Sequence, residues 1–389
     1  DPAFNIYAMN EAGKIYKELN PNVTVNVVET SWNDVQQKLI TALGANQTAS
    51  LPDILLMQDN AMQKNLQTYP GAFAPVGGKI DMSKFAKSKA DYGSMDGKYY
   101  GVPFDNGATA TFLRQDIVEQ AGLKVEDFNN ITWERFSELG KIVKQKTNIA
   151  MLTTNATGGP ELIMIMLQGA GTWFFDPQGK TYINNNPVLK RAIEIFIDMA
   201  NSQVLLLASD WNEYISTINN DRTASTIQGC WIIGSIVANP AHSGKWAMVT
   251  TPKFANIDSV NYSSQGGSGW MVLSSSRNID TAIDFLGKTY GGSTKFYETI
   301  LPSSGAIATW LPMAQSSVYG APHPFFGGQK IYEELIGYIG NVPQVKYGLF
   351  NYEARDEVTK GMMAIIQGTS SVQAALDAAQ RNVEFIVNQ

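Results

Sequence analysis

The stretch Gly97–Asp116, GKYYGVPFDNGATATFLRQD, decides the fold. Two apolar segments flank a break at Pro103, and the break carries an aromatic ring, a carboxylate and an amide on Phe104, Asp105 and Asn106. Ligands of α/β proteins bind where strands end, on the segments that follow them. The pattern therefore predicts an α/β sheet with a ligand-binding edge at Asp105 and Asn106.

The residues before this stretch alternate between helical and extended patterns. NIYAMNEAGKIYKEL (5–19) and SWNDVQQKLITALGANQ (31–47) have apolar residues at helical spacing. VTVNVVET (23–30) is β-branched, and LPDILLMQD (51–59) is a short apolar run typical of a parallel strand buried on both faces. Helices alternating with strands predict right-handed crossovers and the α/β class.

The chain has 389 residues, and a domain typically has roughly 150, so we expect more than one hydrophobic core. Small-residue stretches, NGATAT (106–111) and NYSSQGGSG (261–269), are candidate joints between domains. If the chain passes from one domain to the other at both stretches, each lobe consists of segments that are distant in sequence. Such lobes can close around a ligand by a hinge motion. We expect residues 1–108 with 266–320 to form the N-terminal lobe, and residues 109–265 with 321–389 to form a C-terminal lobe that includes the last helices.

The composition excludes several classes of partner and site. The formal net charge is −6, whereas nucleic-acid phosphates require a basic face. No apolar run of 18 residues occurs, so we expect no membrane span. The 16% of charged residues is below the usual share of about 25%, which fits an uncharged polyol better than an ion or a peptide.

The sequence predicts neither a metal nor a cofactor. The two histidines, His242 and His323, are isolated, and Cys230 is the single cysteine, so no metal-ligand spacing is present. No G-x-S-x-G or phosphate-binding glycine motif occurs. Glycoside hydrolysis needs only two carboxylates, and Asp59 with Asp105 would suffice, so a hydrolase stays open as the alternative.

Two kinds of side chain favour a sugar. The dipeptide Asp-Asn ends two predicted strands, at Asp59-Asn60 and Asp105-Asn106. A carboxylate accepts two hydroxyl hydrogen bonds and an amide both donates and accepts, although such residues also cap loops. Tryptophans beside small polar residues can offer a flat face to a sugar ring, or pack against a domain edge. These tryptophans are Trp32, Trp173, Trp211, Trp231 and Trp270.

Several segments together resemble family 1 extracellular solute-binding proteins, the sugar-capturing components of ABC importers. They include DPAFNIYAMNEAGKIYKELNPNV (1–23), KYYGVPFDNGATATFLRQDIVEQAGL (98–123) and GGSGWMVL (266–273), and the resemblance covers nearly the whole chain in order. It is greatest to the branch that binds lactose and other di- or oligosaccharides. The resemblance implies the type II periplasmic-binding fold: two α/β lobes, each a mostly parallel sheet flanked by helices, with a ligand cleft between them.

The resemblance also implies the function and the site. Such proteins have no enzymatic activity, bind a neutral sugar, close around it and present it to the permease. By position, the residues that would contact sugar are Asp59, Asp105, Trp231, Ser268 and Trp270, followed by Trp173, Trp211 and Tyr352, with Asp1 and Asn5 bordering the cleft.

We expect a monomer outside the cytoplasm, either as a cell-surface lipoprotein or in the periplasm. Members of the family begin with a strand before the element that DPAFN matches, and a lipid-bearing cysteine would lie upstream of it in Gram-positive relatives.

Overall fold

The computed structural model describes residues 2–156 and 160–388, and it has the predicted α/β class. The strands are β1 (Ile54–Gln58), β2 (Ser94–Met95), β3 (Lys98–Tyr99), β4 (Gly101–Pro103), β5 (Thr109–Arg114), β6 (Leu152–Asn155), β7 (Leu205–Ala208), β8 (Ser225–Gly229), β9 (Trp246–Val249) and β10 (Ser268–Val272).

The helices lie before, between and after these strands along the chain. They are α1 (Tyr7–Leu19), α2 (Trp32–Gly44), α3 (Asp59–Thr68), α4 (Lys87–Tyr92), α5 (Gln115–Gln120), α6 (Trp133–Thr147), α7 (Glu161–Gly169), α8 (Pro187–Asn201), α9 (Trp211–Asn219), α10 (Ile233–Ile236), α11 (Ile279–Lys288), α12 (Thr294–Ser304), α13 (Ile331–Ile339), α14 (Asn351–Ile366) and α15 (Val372–Val387). Over the described ranges, none of them combines the length and the apolar character that crossing a bilayer requires.

The chain divides into two compact units. Unit 1 comprises Asp1–Gly107 and Gly266–Tyr319, and unit 2 comprises Ala108–Gln265 and Gly320–Gln389. The first two crossings, after Gly107 and after Gln265, fall within small-residue stretches. Each unit is therefore assembled from segments that are distant in sequence.

Unit 1 is built on a three-stranded sheet in the order β1-β10-β4. The central strand β10 runs antiparallel to both neighbours, with Trp270 opposite Leu56 on one side and Val102 on the other. The prediction of a mostly parallel sheet is wrong for unit 1. The chain enters β10 from Gly266 and runs in the direction opposite to both neighbouring strands, β1 and β4. The burial of β1 alternates along its length, so it is not buried on both faces as predicted.

The β-branched segment 23–30 is not a strand. Its exposure alternates as in a strand, with Val23, Val25 and Val27 half-buried and Val28 exposed, yet no ladder forms with any part of the chain that the structure describes. Local β preference extends the backbone, but only a hydrogen-bonded neighbour makes a strand.

Unit 2 is built on a five-stranded mixed sheet in the order β7-β6-β8-β5-β9. Strands β7, β6 and β8 are parallel, whereas β5 pairs antiparallel with both β8 and β9. The mostly parallel arrangement thus holds for one side of this sheet only. All six residues of β5, the strand that follows the Gly107 crossing, are buried.

Two of the helices begin with a side-chain cap. The Thr132 side chain accepts a hydrogen bond from the Arg135 N–H at the start of α6, and Ser371 does the same for Ala374 at the start of α15. Such caps satisfy backbone donors that have no partner within the helix.

An aromatic cluster fixes the edge of unit 1 where Asp105 lies. The ring of Phe104, one residue before Asp105, is fully buried and meets Tyr290 edge to face at 5.1 Å. Trp270 packs against both rings, with centroids 6.4 Å from Phe104 and 5.6 Å from Tyr290. Because Phe104 is held on two sides, the backbone at Asp105 is anchored.

Candidate functional site

Three polar side chains of unit 1 meet at the ends of its three paired strands. Asp59 follows β1, Asp105 follows β4 by one residue, and Ser268 begins β10 between them. Ser268 Oγ donates to Asp105 Oδ1 at 2.6 Å, and the Asp59 N–H donates to the Gly267 carbonyl at 3.1 Å. The central position of β10 is therefore what joins the two carboxylates that lie far apart in sequence.

A fourth residue, Lys89, completes this group. Its Nζ lies 2.6 Å from Asp59 Oδ2, and both side chains are buried. Lys89 lies on α4, and the sequence analysis did not identify it. Together, Asp59, Lys89, Asp105 and Ser268 form what we call the acceptor cluster.

The protonation of the acceptor cluster is set by burial and by its mixed charges. Burial raises the pKa of Asp105 to about 6, against the opposing effects of Lys89 and of the Ser268 hydrogen bond. Burial disfavours the charged form of Lys89, but Asp59 and Asp105 outweigh it, so the pKa of Lys89 is raised. The cluster therefore holds a cationic lysine, with Asp105 titrating close to neutral pH.

The two predicted asparagines lie beside the acceptor cluster in the chain. The Asn106 amide is buried and donates to the carbonyl of Ala308 at 3.0 Å, which ties the break after β4 to the segment following α12. Asn60 is half-buried in the first turn of α3.

Unit 2 carries a pair of half-buried tryptophans. The ring centroids of Trp211 and Trp231 are 5.8 Å apart, with 36° between the ring planes. Trp231 is fixed by its indole N–H, which donates to the Gln265 carbonyl at 3.0 Å. Trp211 begins α9, where Asp210 caps the helix by accepting from the Glu213 N–H. We call these two rings the tryptophan pair.

A polar group adjoins the tryptophan pair. Trp211 packs on Tyr214 with centroids 5.2 Å apart, and the half-buried Glu161 lies close enough to Tyr214 to influence its pKa. Gln228 donates to Glu161 at 2.9 Å, and burial raises the pKa of Glu161 to about 7. Neither Glu161 nor Gln228 was predicted, because each stands alone in sequence without a motif.

Trp173 and Trp270 have packing roles. Trp173 is 2% exposed in the core of unit 2, its N–H donates to Asn351 Oδ1 at 2.7 Å, and its ring meets Tyr347. This enclosure leaves no free ring face within unit 2, contrary to the expectation that Trp173 would stack on a ligand. Trp270, 6% exposed, belongs to the aromatic cluster behind Asp105.

The remaining predicted residues lie on other elements. Tyr352 is half-buried on α14, with the Arg355 guanidinium 4.8 Å from its ring centroid. Asn5 lies in the helical turn before α1, Trp32 is the first residue of α2, and both are half-buried. Asp1 lies outside the described residues.

Within 2–156 and 160–388, no three His, Cys, Asp or Glu side chains are placed to hold a metal ion together. What the acceptor cluster and the tryptophan pair can supply is oxygen acceptors and flat aromatic faces.

Comparisons with known proteins agree on one family. The family model for bacterial extracellular solute-binding proteins matches residues 11–309. A lactose-binding protein of Rhizobium radiobacter is 41% identical over 370 residues, which cover 95% of this chain and 87% of that protein.

Solved structures share the fold. The GacH receptor of Streptomyces glaucescens, determined unliganded and with acarbose, has a TM-score of 0.84 at 17% identity, covering 100% of this chain and 96% of the other. A binding protein of Bifidobacterium animalis subsp. lactis in complex with β-1,6-galactobiose has a TM-score of 0.81 at 18% identity, covering 97% and 94%.

Proposed function

Because the chain belongs to the bacterial extracellular solute-binding proteins, we propose that it binds a neutral di- or oligosaccharide and delivers it to the permease of an ABC importer. The observation that carries this proposal is the 41% identity with a lactose-binding protein over 95% of the chain. Lactose is therefore the first sugar to test.

The acceptor cluster supports a ligand rich in hydroxyl groups. An ionised carboxylate accepts several hydrogen bonds and donates none, so it selects donors such as sugar hydroxyls. Asp59 and Asp105 are held by buried partners, which fixes the directions in which they accept. Fixed polar groups of this kind set orientation and specificity in small-molecule sites.

The tryptophan pair supports a ligand with apolar ring faces. One face of a pyranose is lined with C–H groups, and an aromatic ring buries it without a hydrogen bond. The two half-buried rings, with centroids 5.8 Å apart, offer more than one aromatic surface. This favours a di- or oligosaccharide over a monosaccharide.

We propose that the protein is not an enzyme. Its relatives are solute-binding proteins, and Asp59, one member of the candidate catalytic pair, is bound to Lys89. The hydrolase alternative predicts that a bound disaccharide is cleaved, whereas a binding protein returns it intact.

We further propose a monomer outside the cytoplasm, with an ABC permease as its partner, in keeping with the extracellular solute-binding family. Closure around the ligand and a surface lipid anchor also remain proposals. Small-angle scattering with and without lactose tests closure, and fractionation of the native host tests the anchor.

A thermal-shift screen tests the ligand class. A ligand that binds only the folded chain stabilises it by RT ln(1 + [L]/Kd), and the melting temperature rises as a result. We expect a shift with lactose or another α- or β-linked galactoside or glucoside, weaker shifts with monosaccharides, and no change in sugar composition after incubation. No shift with any neutral sugar would overturn the ligand class, and cleavage would establish the hydrolase.

A further inference from the structure

Lys89 is the buried cation of the acceptor cluster and pairs with Asp59. We propose that Lys89 is a positioning residue for the sugar: it holds Asp59 and Asp105 in place as ionised acceptors, and Gly267 provides the space that this arrangement requires. The inference rests on the proposed function, because it assigns a purpose to the acceptor cluster.

The charge balance of the acceptor cluster gives the first argument. Two buried carboxylates without a nearby cation would not both stay ionised, and one would retain a proton. A protonated carboxyl loses acceptor capacity, which a sugar hydroxyl needs. Lys89, with its Nζ 2.6 Å from Asp59 Oδ2 and its charge acting on Asp105, supplies the compensating cation.

The surroundings of the acceptor cluster bring two further titratable groups near these charges. Tyr92, on the same helix as Lys89, lies close enough to act on the charge of the lysine, and Tyr297 on α12 lies close enough to interact with Asp105. Burial raises the pKa of Tyr297 well above its ordinary value, so this phenol stays neutral. Ser268 contributes a hydroxyl donor to Asp105 without a charge.

The geometry at Gly267 gives the second argument. Its φ is +94°, and a Cβ at this position would lie 2.3 Å from Lys89 Nζ and 2.4 Å from Asp59 Oδ2. Contacts between non-bonded heavy atoms are comfortable only at about 3.5–4.0 Å. Any other residue would therefore push the lysine and the carboxylate apart, while the Gly267 carbonyl holds the Asp59 N–H from the other side.

The first experiment removes the charge and keeps the side-chain length. Lactose affinity is measured from pH 5 to 9 for the wild type and Lys89→Met. We expect Lys89→Met to bind about tenfold more weakly or worse at pH 7, since it leaves buried carboxylates unpaired. We also expect the pH midpoint of binding to rise by about one unit or more, with affinity recovering in alkaline solution. An unchanged affinity, or a loss equal at every pH, would overturn the role.

The second experiment disturbs the arrangement without removing a charge. Gly267→Ala inserts the clashing methyl group, and Gly78→Ala is the matched control in the same unit, with φ +87° and no atom within 4 Å of an added Cβ. We expect the first substitution to weaken binding and move the pH midpoint upward, as Lys89→Met does, and the second to change neither. Equal behaviour of the two variants would refute the space requirement.

A third measurement needs no sugar. Carboxyl carbon chemical shifts, followed by NMR against pH, report the titration of Asp105 in the wild type and in Lys89→Met. We expect its midpoint to rise in the variant, and an unchanged midpoint would overturn the role of Lys89. If the wild type binds no sugar but this midpoint moves, the proposed function fails while the electrostatic role of Lys89 stands.

Discussion

The acceptor cluster of unit 1 and the tryptophan pair of unit 2 differ in charge and in exposure. The acceptor cluster buries three charged groups, so its acceptors are directional and depend on pH. The tryptophan pair exposes part of two apolar rings, one of them locked by Gln265, so it offers area with little directional preference. The proposed function therefore assigns the selection of hydroxyl groups to the acceptor cluster and contact with apolar ring faces to the tryptophan pair.

The largest effect on stability is expected when the buried ion pair between Asp59 and Lys89 is broken. Asp59→Ala leaves Lys89 buried without the carboxylate that pairs with it, which should lower the free energy of unfolding by about 3–5 kcal/mol. Urea unfolding followed by circular dichroism measures the change. The same variant should lose lactose binding.

An exposed ion pair provides the control for Asp59→Ala. Asp280 pairs with Lys79 at the surface of the same unit, and both side chains are largely exposed. Asp280→Ala should lower the free energy of unfolding by about 1 kcal/mol or less, because solvent screens the pair. Comparable losses from the two variants would mean that the acceptor cluster is not effectively buried.

Asp105 should make stability depend on pH. Its pKa of about 6 in the folded chain exceeds the unfolded value near 4, so the folded chain holds the proton more tightly. Its contribution to stability is therefore present in acid and lost as the pH rises through 6, by at most about 2–3 kcal/mol. Unfolding between pH 4 and 7 should show this decline in the wild type and a flatter profile in Asp105→Asn; identical profiles would contradict it.

Removing one ring of the tryptophan pair should weaken binding without changing its pH dependence. Trp231→Ala deletes an apolar face, and we expect about a tenfold or greater loss of lactose affinity, typical of a buried aromatic anchor. Calorimetric titration at pH 5.5 and 8 measures both quantities. A loss confined to one pH would assign Trp231 to an electrostatic role instead.

The smallest effect on binding is expected at the enclosed tryptophan. Trp173→Phe keeps a ring but removes the N–H that donates to Asn351, which should cost about 1 kcal/mol of stability. Lactose affinity should stay within about twofold of the wild type. A clear loss of affinity would restore Trp173 to the ligand-binding residues.

The sequence was sufficient for features that depend on local pattern. The α/β class and the polar ends of two strands, at Asp59 and Asp105, follow from periodicity and side-chain chemistry. The directions of the strands in unit 1 could not be predicted from local pattern, because β10 pairs with β1 across more than 200 residues of sequence. Segment 23–30 shows the same limit, since β preference does not supply a partner strand.

The candidate site likewise contains residues that can be recognised in the sequence and residues that cannot. Asp59 and Asp105 were identified because carboxylates at strand ends are recognisable in sequence. Lys89 was missed, since a lone lysine in an ordinary helical sequence indicates a solvated side chain, and only the fold buries it against a carboxylate 30 residues away. Trp173 shows the converse, because a tryptophan beside small residues can lie in the core as readily as at a surface.

The decisive measurement is calorimetric titration of the purified chain with lactose at pH 7.5, followed by chromatography of the sugar. We expect binding with micromolar or tighter affinity, about −8 kcal/mol or more favourable, and recovery of intact lactose. No heat with lactose or with any related neutral disaccharide would contradict sugar binding, and recovery of galactose and glucose would contradict a binding protein without catalysis.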